Sequence, residues 1–239
     1  MITVHLKKLK RRIEISSEEE RVIRDSVSEI RRVAADQLVI RAGEELNSSL
    51  LLLDGWLART KDLAGGERQV TQLHVAGDFA DLHGYTLKRL DHDVTTMSDC
   101  RLALVPHERI RAMIEKHPRL ERAYWFLTNI DASIQRELTL SLGQRSAISR
   151  MAHLFCELYV RLSVVGRARD DSYEFPLTQR EISECLGLTV VHANRTLQEL
   201  RRRGLVEFEN KHLRIVDRRG LEGLAEFDPA YLFLEKHQL

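Results

Sequence analysis

Residues 177–208, LTQREISECLGLTVVHANRTLQELRRRGLVEF, decide the fold. Thr178 is placed to cap a helix, with Glu181 at the position of a capping-box partner. Gly187 is suited to end that helix, because a glycine adopts the left-handed conformation without a Cβ clash. One apolar face follows from the spacing of Ile182, Cys185 and Leu186. The pattern predicts a short amphipathic helix that ends in a tight turn.

A second helix is predicted directly after this turn, with Thr189 as its cap. Its buried stripe is Ala193, Leu197 and Leu200. Its opposite face carries Val190, His192, Asn194, Arg195, Gln198 and Arg202. After Gly204 the chain alternates like a strand, which predicts a hairpin. Two helices joined by a tight turn and followed by a hairpin form a winged helix-turn-helix, a shape that places its second helix in a DNA major groove.

The alternative is an ordinary helical hairpin, because helix pairs with a glycine turn are common. Charge favours the nucleic-acid interpretation. Between Arg195 and Arg203 there are four arginines and one acid, Glu199. More basic residues follow, namely Lys211, Arg214, Arg218 and Arg219. Phosphate contacts require such a local cationic face.

Three further motifs extend the pattern upstream. They are Gly77-Asp78-Phe79, the run Cys100-Arg-Leu-Ala-Leu-Val, and His117-Pro118. Together with the helix-turn-helix, in this order and spacing, the chain from about Ala42 to Val216 resembles the Crp/Fnr superfamily of bacterial transcription regulators. The resemblance implies a cyclic-nucleotide-binding-type β-roll, a long dimerisation helix and a DNA operator, with RNA polymerase as a further partner.

Bulk properties fit this interpretation. The chain has 239 residues, 43% of them hydrophobic, and a net charge of +1, so contact with nucleic acid requires a local patch. The sequence has no apolar run of about 18 residues and no secretory signal, which predicts no membrane span. Three scattered cysteines predict reduced thiols in the cytoplasm.

The predicted fold class is α+β: an N-terminal antiparallel β-roll, a long dimerisation helix and a C-terminal winged helix-turn-helix. The expected domains are residues 1–116, 117–142 and 143–239, the last with a C-terminal extension. Short β-type runs alternate with glycine turns before residue 106, and Asp54-Gly55 predicts a hairpin between its flanking runs. Ser146 is placed to cap the helix after Gly143.

The long helix carries an apolar stripe whose spacing is close to a heptad seam. Its members are Leu120, Leu127, Ile130, Ile134 and Leu138. The length of the helix and the resemblance favour a homodimer interface. The alternative is a helix that lies on the core of its own domain.

The resemblance implies base-reading positions at or beside Val190, Val191, Asn194 and Arg195. It implies backbone contacts at Thr178, Arg180, Thr189 and His192, with Lys211 at the turn of the wing. The family commonly has a glutamate at the position of Val191. A valine cannot accept a hydrogen bond from cytosine and offers at most apolar contact with a thymine methyl group, so we expect a different operator.

The sequence does not identify the effector. The family's cyclic-AMP receptors use a glutamate where Leu82 stands, and an arginine-serine pair near Leu90-Asp91, so the usual cyclic-AMP site is not expected. The oxygen-sensing branch of the family holds a [4Fe–4S] cluster on N-terminal cysteines, but no cysteine precedes Cys100 here, so such a cluster is not expected. Neither haem nor a metal is expected, although His74, His83 and His92 are present. The sequence predicts no cofactor and leaves an unknown small-molecule effector possible.

Cys185 has arginines nearby in sequence, which would favour a thiolate, but it also lies on the apolar face of its helix, which favours a core role.

Enzyme motifs are absent, so an enzyme is not expected. The alternatives within reach are a ligand-independent regulator with a vestigial pocket, or a protein-interaction module that has lost DNA binding.

Overall fold

The computed structural model describes residues 2–236, which divide into two compact units. One unit comprises Gln72–Ala132 with the described residues before Asp62 and after Leu232. The other comprises Asp62–Thr71 and Ser133–Leu232. No helix in the described part of the chain is long and apolar enough to cross a membrane.

The first unit contains most of the N-terminal roll. Its helices are α1 (Thr3–Lys10), α2 (Ser17–Asp25), α3 (Gly84–Leu87) and α4 (His107–Lys116). The strands of the roll are β1 (Glu29–Val33), β2 (Leu38–Ile40), β3 (Ser48–Asp54), β4 (Leu57–Asp62), β5 (Arg68–His74), β6 (Asp93–Thr96) and β7 (Cys100–Pro106). They form two sheets with the orders β1-β7-β3 and β2-β6-β4-β5. Strands β1 and β3 pair with β7, and β2 and β4 pair with β6, all antiparallel, as expected for a β-roll.

The hairpin predicted at Asp54-Gly55 is wrong. Strand β3 pairs with β7 and strand β4 pairs with β6, so this turn carries the chain from one sheet to the other. Gly55 has φ +89°, and a Cβ atom there would lie 2.3 Å from the carbonyl oxygen of Asp99. The glycine is therefore required by close packing at a crossing between sheets, which a turn dipeptide alone does not distinguish from a hairpin.

The core of the roll is formed where the inner faces of the two sheets meet. Its buried members are Ile40, Leu52, Leu57, Ala80, Leu90, Val94, Cys100 and Leu102.

The Gly77-Asp78-Phe79 turn is held by its own aspartate, since Asp78 Oδ2 accepts from the backbone N–H of Val75 at 3.1 Å. Lys8 from α1 pairs with the other carboxylate oxygen of Asp78 at 2.5 Å. The N-terminal helix is thus tied to this turn by a buried charge pair.

Helix α5 (Pro118–Gln144) continues through Gly143, two residues beyond the predicted end at Leu142. The stripe expected to meet a second copy is largely buried within the single chain. Leu120, Leu127, Ile130 and Ile134 are between 1% and 7% exposed, and Leu138 is half-buried. Heptad-like spacing is also that of a helix lying on its own domain, and the burial of these four residues corresponds to that alternative.

The second unit begins its helical part after the Ser146 cap, whose side chain accepts from the backbone of Ser149 as predicted. Its helices are α6 (Ala147–Val165), α7 (Gln179–Leu186), α8 (Val190–Arg202) and α9 (Arg218–Ala225), followed by a 3-10 turn at Pro229–Leu232. Its strands are β8 (Ala168–Arg169), β9 (Ser172–Glu174), β10 (Val206–Glu209) and β11 (His212–Ile215), in the sheet order β10-β11-β9-β8. The predicted helix pair and hairpin are therefore present.

Candidate DNA-binding site

Side-chain caps fix the starts of α7 and α8. Thr178 Oγ1 accepts from the backbone N–H of Glu181 at 3.3 Å, and the Glu181 carboxylate accepts from the backbone N–H of Thr178 at 2.6 Å. Gly187 ends α7 in the left-handed conformation at φ +60°. Thr189 then accepts from the backbone N–H of His192 at 3.2 Å. The predicted capping box, glycine turn and second cap are confirmed.

Helix α8 separates its two faces as the sequence predicts. Its buried face consists of Ala193, Thr196, Leu197 and Leu200. Its exposed side chains are Val190, Val191, His192, Arg195, Gln198, Arg201 and Arg202. Because the buried face packs inside the unit, the first two turns present a fixed set of side chains to solvent.

The arginines of α8 differ in what they contact. Glu199 accepts from both Arg202 and Arg203 at 2.8 Å, and these guanidinium groups lower the pKa of the Glu199 carboxyl to about 2. Arg195 is exposed and has no carboxylate partner among residues 2–236. A guanidinium without an internal partner keeps its donors for an external acceptor such as a guanine edge.

Asn194, another expected base reader, is half-buried, and its Oδ1 atom is buried without a hydrogen-bond partner among the described residues. Arg180 pairs with Glu184 on its own helix at 3.0 Å, while its side chain stays 77% exposed. Lys211 is exposed and forms, with Asn210, the positive-φ turn between β10 and β11. The structure thus places Arg195, Arg180 and Lys211 on the surface but turns part of the Asn194 amide inward.

Two residues that the sequence analysis missed hold the end of α7. Gln69 Nε2 donates to the carbonyl oxygen of Glu184 at 2.7 Å, and the Arg150 guanidinium donates to the carbonyl oxygen of Leu186. A helix leaves its last carbonyl groups without internal partners, so these donors satisfy groups that the turn at Gly187 would otherwise expose. Gln69 lies 115 residues before its partner, and no local motif signals such a contact.

A second group of polar residues lies inside the roll, centred on Arg59. Its guanidinium donates to Gln72 Oε1 at 2.7 Å, to Asp131 Oδ2 at 3.1 Å and to the carbonyl oxygen of Ala80 at 2.8 Å. Gln72 Nε2 also donates to Asp131 Oδ1 at 3.2 Å. The network joins β4, β5 and α5. A phosphate entering here would meet an arginine whose charge Asp131 already compensates.

Buried titratable groups lie near this network. Burial raises the pKa of Asp81 to about 7, and its Oδ2 atom has no partner among the described residues. The rings of His83 and His92 are 5.5 Å apart, and burial lowers the pKa of both, that of His83 to about 4. Leu82, at the position of the family's glutamate, is 7% exposed and offers no carboxylate. Within residues 2–236 no group of three or more His, Cys, Asp or Glu side chains could hold a metal ion.

Cys185 is fully enclosed by the packing of α7, and burial raises the pKa of its thiol well above the usual range. A thiol that stays protonated is a poor nucleophile. This supports the interpretation of Cys185 as a core residue.

Comparison with known proteins agrees with this geometry. Residues 30–117 match the model of the cyclic nucleotide-binding domain, and residues 149–224 match that of the Crp-like helix-turn-helix domain. The chain is 25% identical over 201 residues to the transcriptional activator protein FnrA of Stutzerimonas stutzeri, covering 84% of this chain and 82% of that protein. It is 27% identical over 184 residues to the nitrogen fixation regulation protein FixK of Bradyrhizobium diazoefficiens, covering 76% of each. The solved structure of FixK2 from Bradyrhizobium japonicum superposes with a TM-score of 0.76 at 22% identity, covering 83% of this chain and 97% of that one. A roll followed by a capped and winged helix-turn-helix, with both domain models matched in this order, shows that the chain belongs to the Crp/Fnr family of DNA-binding transcription regulators.

Proposed function

We propose that the protein binds a palindromic operator as a homodimer in the cytoplasm and regulates transcription there through RNA polymerase. The observation that carries this proposal is the exposed first half of α8, where Arg195 is held on a capped helix and has no carboxylate partner in the described part of the chain. Residues near the start of a recognition helix contact base edges, and a guanidinium is matched to guanine. A dimer reads two half-sites about one helical turn apart, which makes the operator a palindrome.

Selection of binding sites from random duplex DNA tests the proposal. The purified chain should enrich a palindrome, and Arg195→Ala should lose that enrichment, because one bidentate guanine contact contributes about 1–3 kcal/mol of discrimination in each half-site. Arg21→Ala is the matched control, since it removes one exposed arginine from α2. Enrichment by the control together with loss in the Arg195 variant supports the proposal. No enrichment by the native chain, alone or in cell extract, would overturn it.

The surface of α5 that could meet a second copy differs from the stripe predicted from sequence. The exposed positions on one side of this helix are Trp125, Asn129, Ala132, Arg136 and Leu140. Their spacing is close to a heptad, and Trp125 is 69% exposed. An exposed tryptophan on a long helix is typical of a protein interface. We assign the dimer contact to this side.

Sedimentation velocity of Trp125→Glu tests this assignment. The substitution places a charge in the assigned contact and should convert a dimer into a monomer. Leu87→Glu is the control, because Leu87 is 63% exposed and lies on α3 of the roll. A Trp125 variant that stays dimeric would place the contact elsewhere.

The interior of the roll favours a regulator that does not bind cyclic AMP in the usual way. Leu82 replaces the ribose-binding glutamate, and the buried Arg59 is already paired with Asp131. Isothermal titration calorimetry of the purified chain with cyclic AMP should show no binding at nucleotide concentrations up to about 1 mM. Saturable binding with one nucleotide per chain would contradict this view. Because Arg59 is paired with Asp131 inside the roll, the interior best supports a regulator that acts without a ligand.

A further inference from the structure

The first turn of α8 exposes two adjacent apolar side chains, Val190 at 42% and Val191 at 61%. We propose that Val191, flanked by Val190, reads the C5-methyl group of a pyrimidine in the operator. Each half-site then carries thymine or 5-methylcytosine close to the guanine that Arg195 reads. This inference rests on the proposed DNA-binding function and names the base that the function selects.

Helix geometry places the valine beside the arginine. Val191 and Arg195 are four residues apart, so their side chains are neighbours on one face, with Cβ atoms about 5–6 Å apart. Base pairs are stacked about 3.4 Å apart along each strand. The two contacted bases therefore lie within about two base-pair steps. The Thr189 cap fixes the turn that carries the valine.

The other side chains of this surface restrict what can be read. A valine neither donates nor accepts hydrogen bonds, so it cannot distinguish bases by their polar edges. Among the groups that the four bases present in the major groove, the C5-methyl group of thymine is the apolar one. In the free protein Asn194 does not present both its donor and its acceptor to an adenine, because its Oδ1 atom is buried. His192 is also exposed on these turns, at a position where the family resemblance implies a backbone contact. Base discrimination then depends on Arg195 and on the apolar pair.

The position of the valines also requires an explanation. Single exposed apolar residues are common and need none. Here two β-branched residues stand side by side at the start of a helix, although β-branched residues are mediocre helix formers. In the free protein both remain exposed to water. Contact with a methyl group in the groove would cover this apolar area and gain free energy from its burial.

Removal or addition of a single methyl group in the DNA tests the inference. Once an operator has been selected, each thymine is replaced in turn by deoxyuridine, which lacks only the C5-methyl group. At one position of the half-site the affinity of the native chain should fall about fourfold, and about fifteenfold when both half-sites are changed, as expected for one buried methyl group in each. At that same position, 5-methylcytosine should bind about fourfold more tightly than cytosine.

Protein variants then identify the reader. Val191→Ala should bind the thymine and deoxyuridine operators equally, because the apolar partner of the methyl group is lost. Val216→Ala is the matched control, since Val216 is an exposed valine of the same unit outside α8 and should preserve the deoxyuridine effect. Thermal unfolding followed by circular dichroism checks that both variants remain folded.

The outcomes separate the two proposals. An operator that depends on Arg195 but tolerates deoxyuridine at every thymine overturns the methyl-reading role alone. A deoxyuridine effect that persists unchanged in Val191→Ala also overturns it. Failure to select any operator overturns the proposed function itself.

Discussion

Replacement of Asp81 by asparagine should change how stability depends on pH. Burial raises the pKa of Asp81 from 3.8 to about 7, so between these values the folded chain keeps a proton that the unfolded chain has released. The stability contributed by this group is therefore full below about pH 4, falls as the pH rises, and is lost above about pH 7. Asparagine has the shape of the neutral acid, keeps an acceptor for the backbone N–H of Leu50, and has no proton to lose in this range.

The size of the effect follows from the same pKa. A change of one pKa unit corresponds to about 1.36 kcal/mol, so a rise from 3.8 to about 7 corresponds to about 4 kcal/mol at pH 8. Burial lowers the pKa of His5 and His83, which gives the opposite dependence: their contribution is lost as the pH falls from about 6.5 toward 4. Both proteins contain these histidines, so the difference between the proteins isolates Asp81.

Urea unfolding at pH 5 and pH 8, followed by tryptophan emission, measures this difference, because the buried Trp56 becomes exposed on unfolding whereas Trp125 is already exposed. The free energy of unfolding of Asp81→Asn relative to the native chain should rise by several kcal/mol between the two pH values. Asp25→Asn, a substitution of an exposed carboxylate on α2, is the control and should show no such rise. An equal difference at both pH values would refute the argument that Asp81 is held neutral by burial.

Three further predictions concern single contacts. Asp131→Asn should lower the free energy of unfolding by about 3–5 kcal/mol, because the buried Arg59 guanidinium loses the carboxylate that lies 3.1 Å away. Adding Arg59→Met should restore much of this loss in urea unfolding. Glu199→Gln should steepen the dependence of the binding constant for non-specific duplex DNA on salt, by about 1 in the slope of log K against log salt concentration, because two paired arginines are released. Fluorescence anisotropy measures this slope. An unchanged slope would mean that these arginines do not face phosphate. Gly55→Ala should lower the free energy of unfolding, measured by thermal unfolding, by about 2–4 kcal/mol, because the positive φ and the nearby backbone oxygen leave no room for a Cβ atom. A decrease of less than about 0.5 kcal/mol would contradict this.

The parts of the site that could be predicted from sequence are those fixed by neighbouring residues. The capping box at Thr178, the left-handed Gly187 and the cap at Thr189 act within four residues, so their signal is written in consecutive letters. The buried stripe of α8 follows from its period in the same way. These local features define the start, the end and the outward face of the recognition helix.

The missed parts depend on residues distant in sequence. Gln69 reaches Glu184 across 115 residues, and Arg59 reaches Asp131 across 72. Neither pair has a spacing that indicates contact, because sheet pairing and helix packing bring them together. The stripe of α5 shows a different ambiguity. A period of 3.5 to 3.6 residues indicates that a helix has an apolar face, but burial against a core and contact with a partner helix both favour this pattern.

Charge counted along α8 also differs from charge available on its surface. The sequence has four arginines against one acid between Arg195 and Arg203, which suggests a uniformly cationic helix. In the fold that one acid, Glu199, is shared by two of the arginines, both in its last turns. Attraction to phosphate is independent of sequence, whereas contacts to base edges select one. Pairing at the end of the helix weakens the first kind of contact, whereas the guanine contact proposed for Arg195 belongs to the second kind. In a chain whose net charge is only +1, this division favours discrimination between operators over tight binding to any DNA.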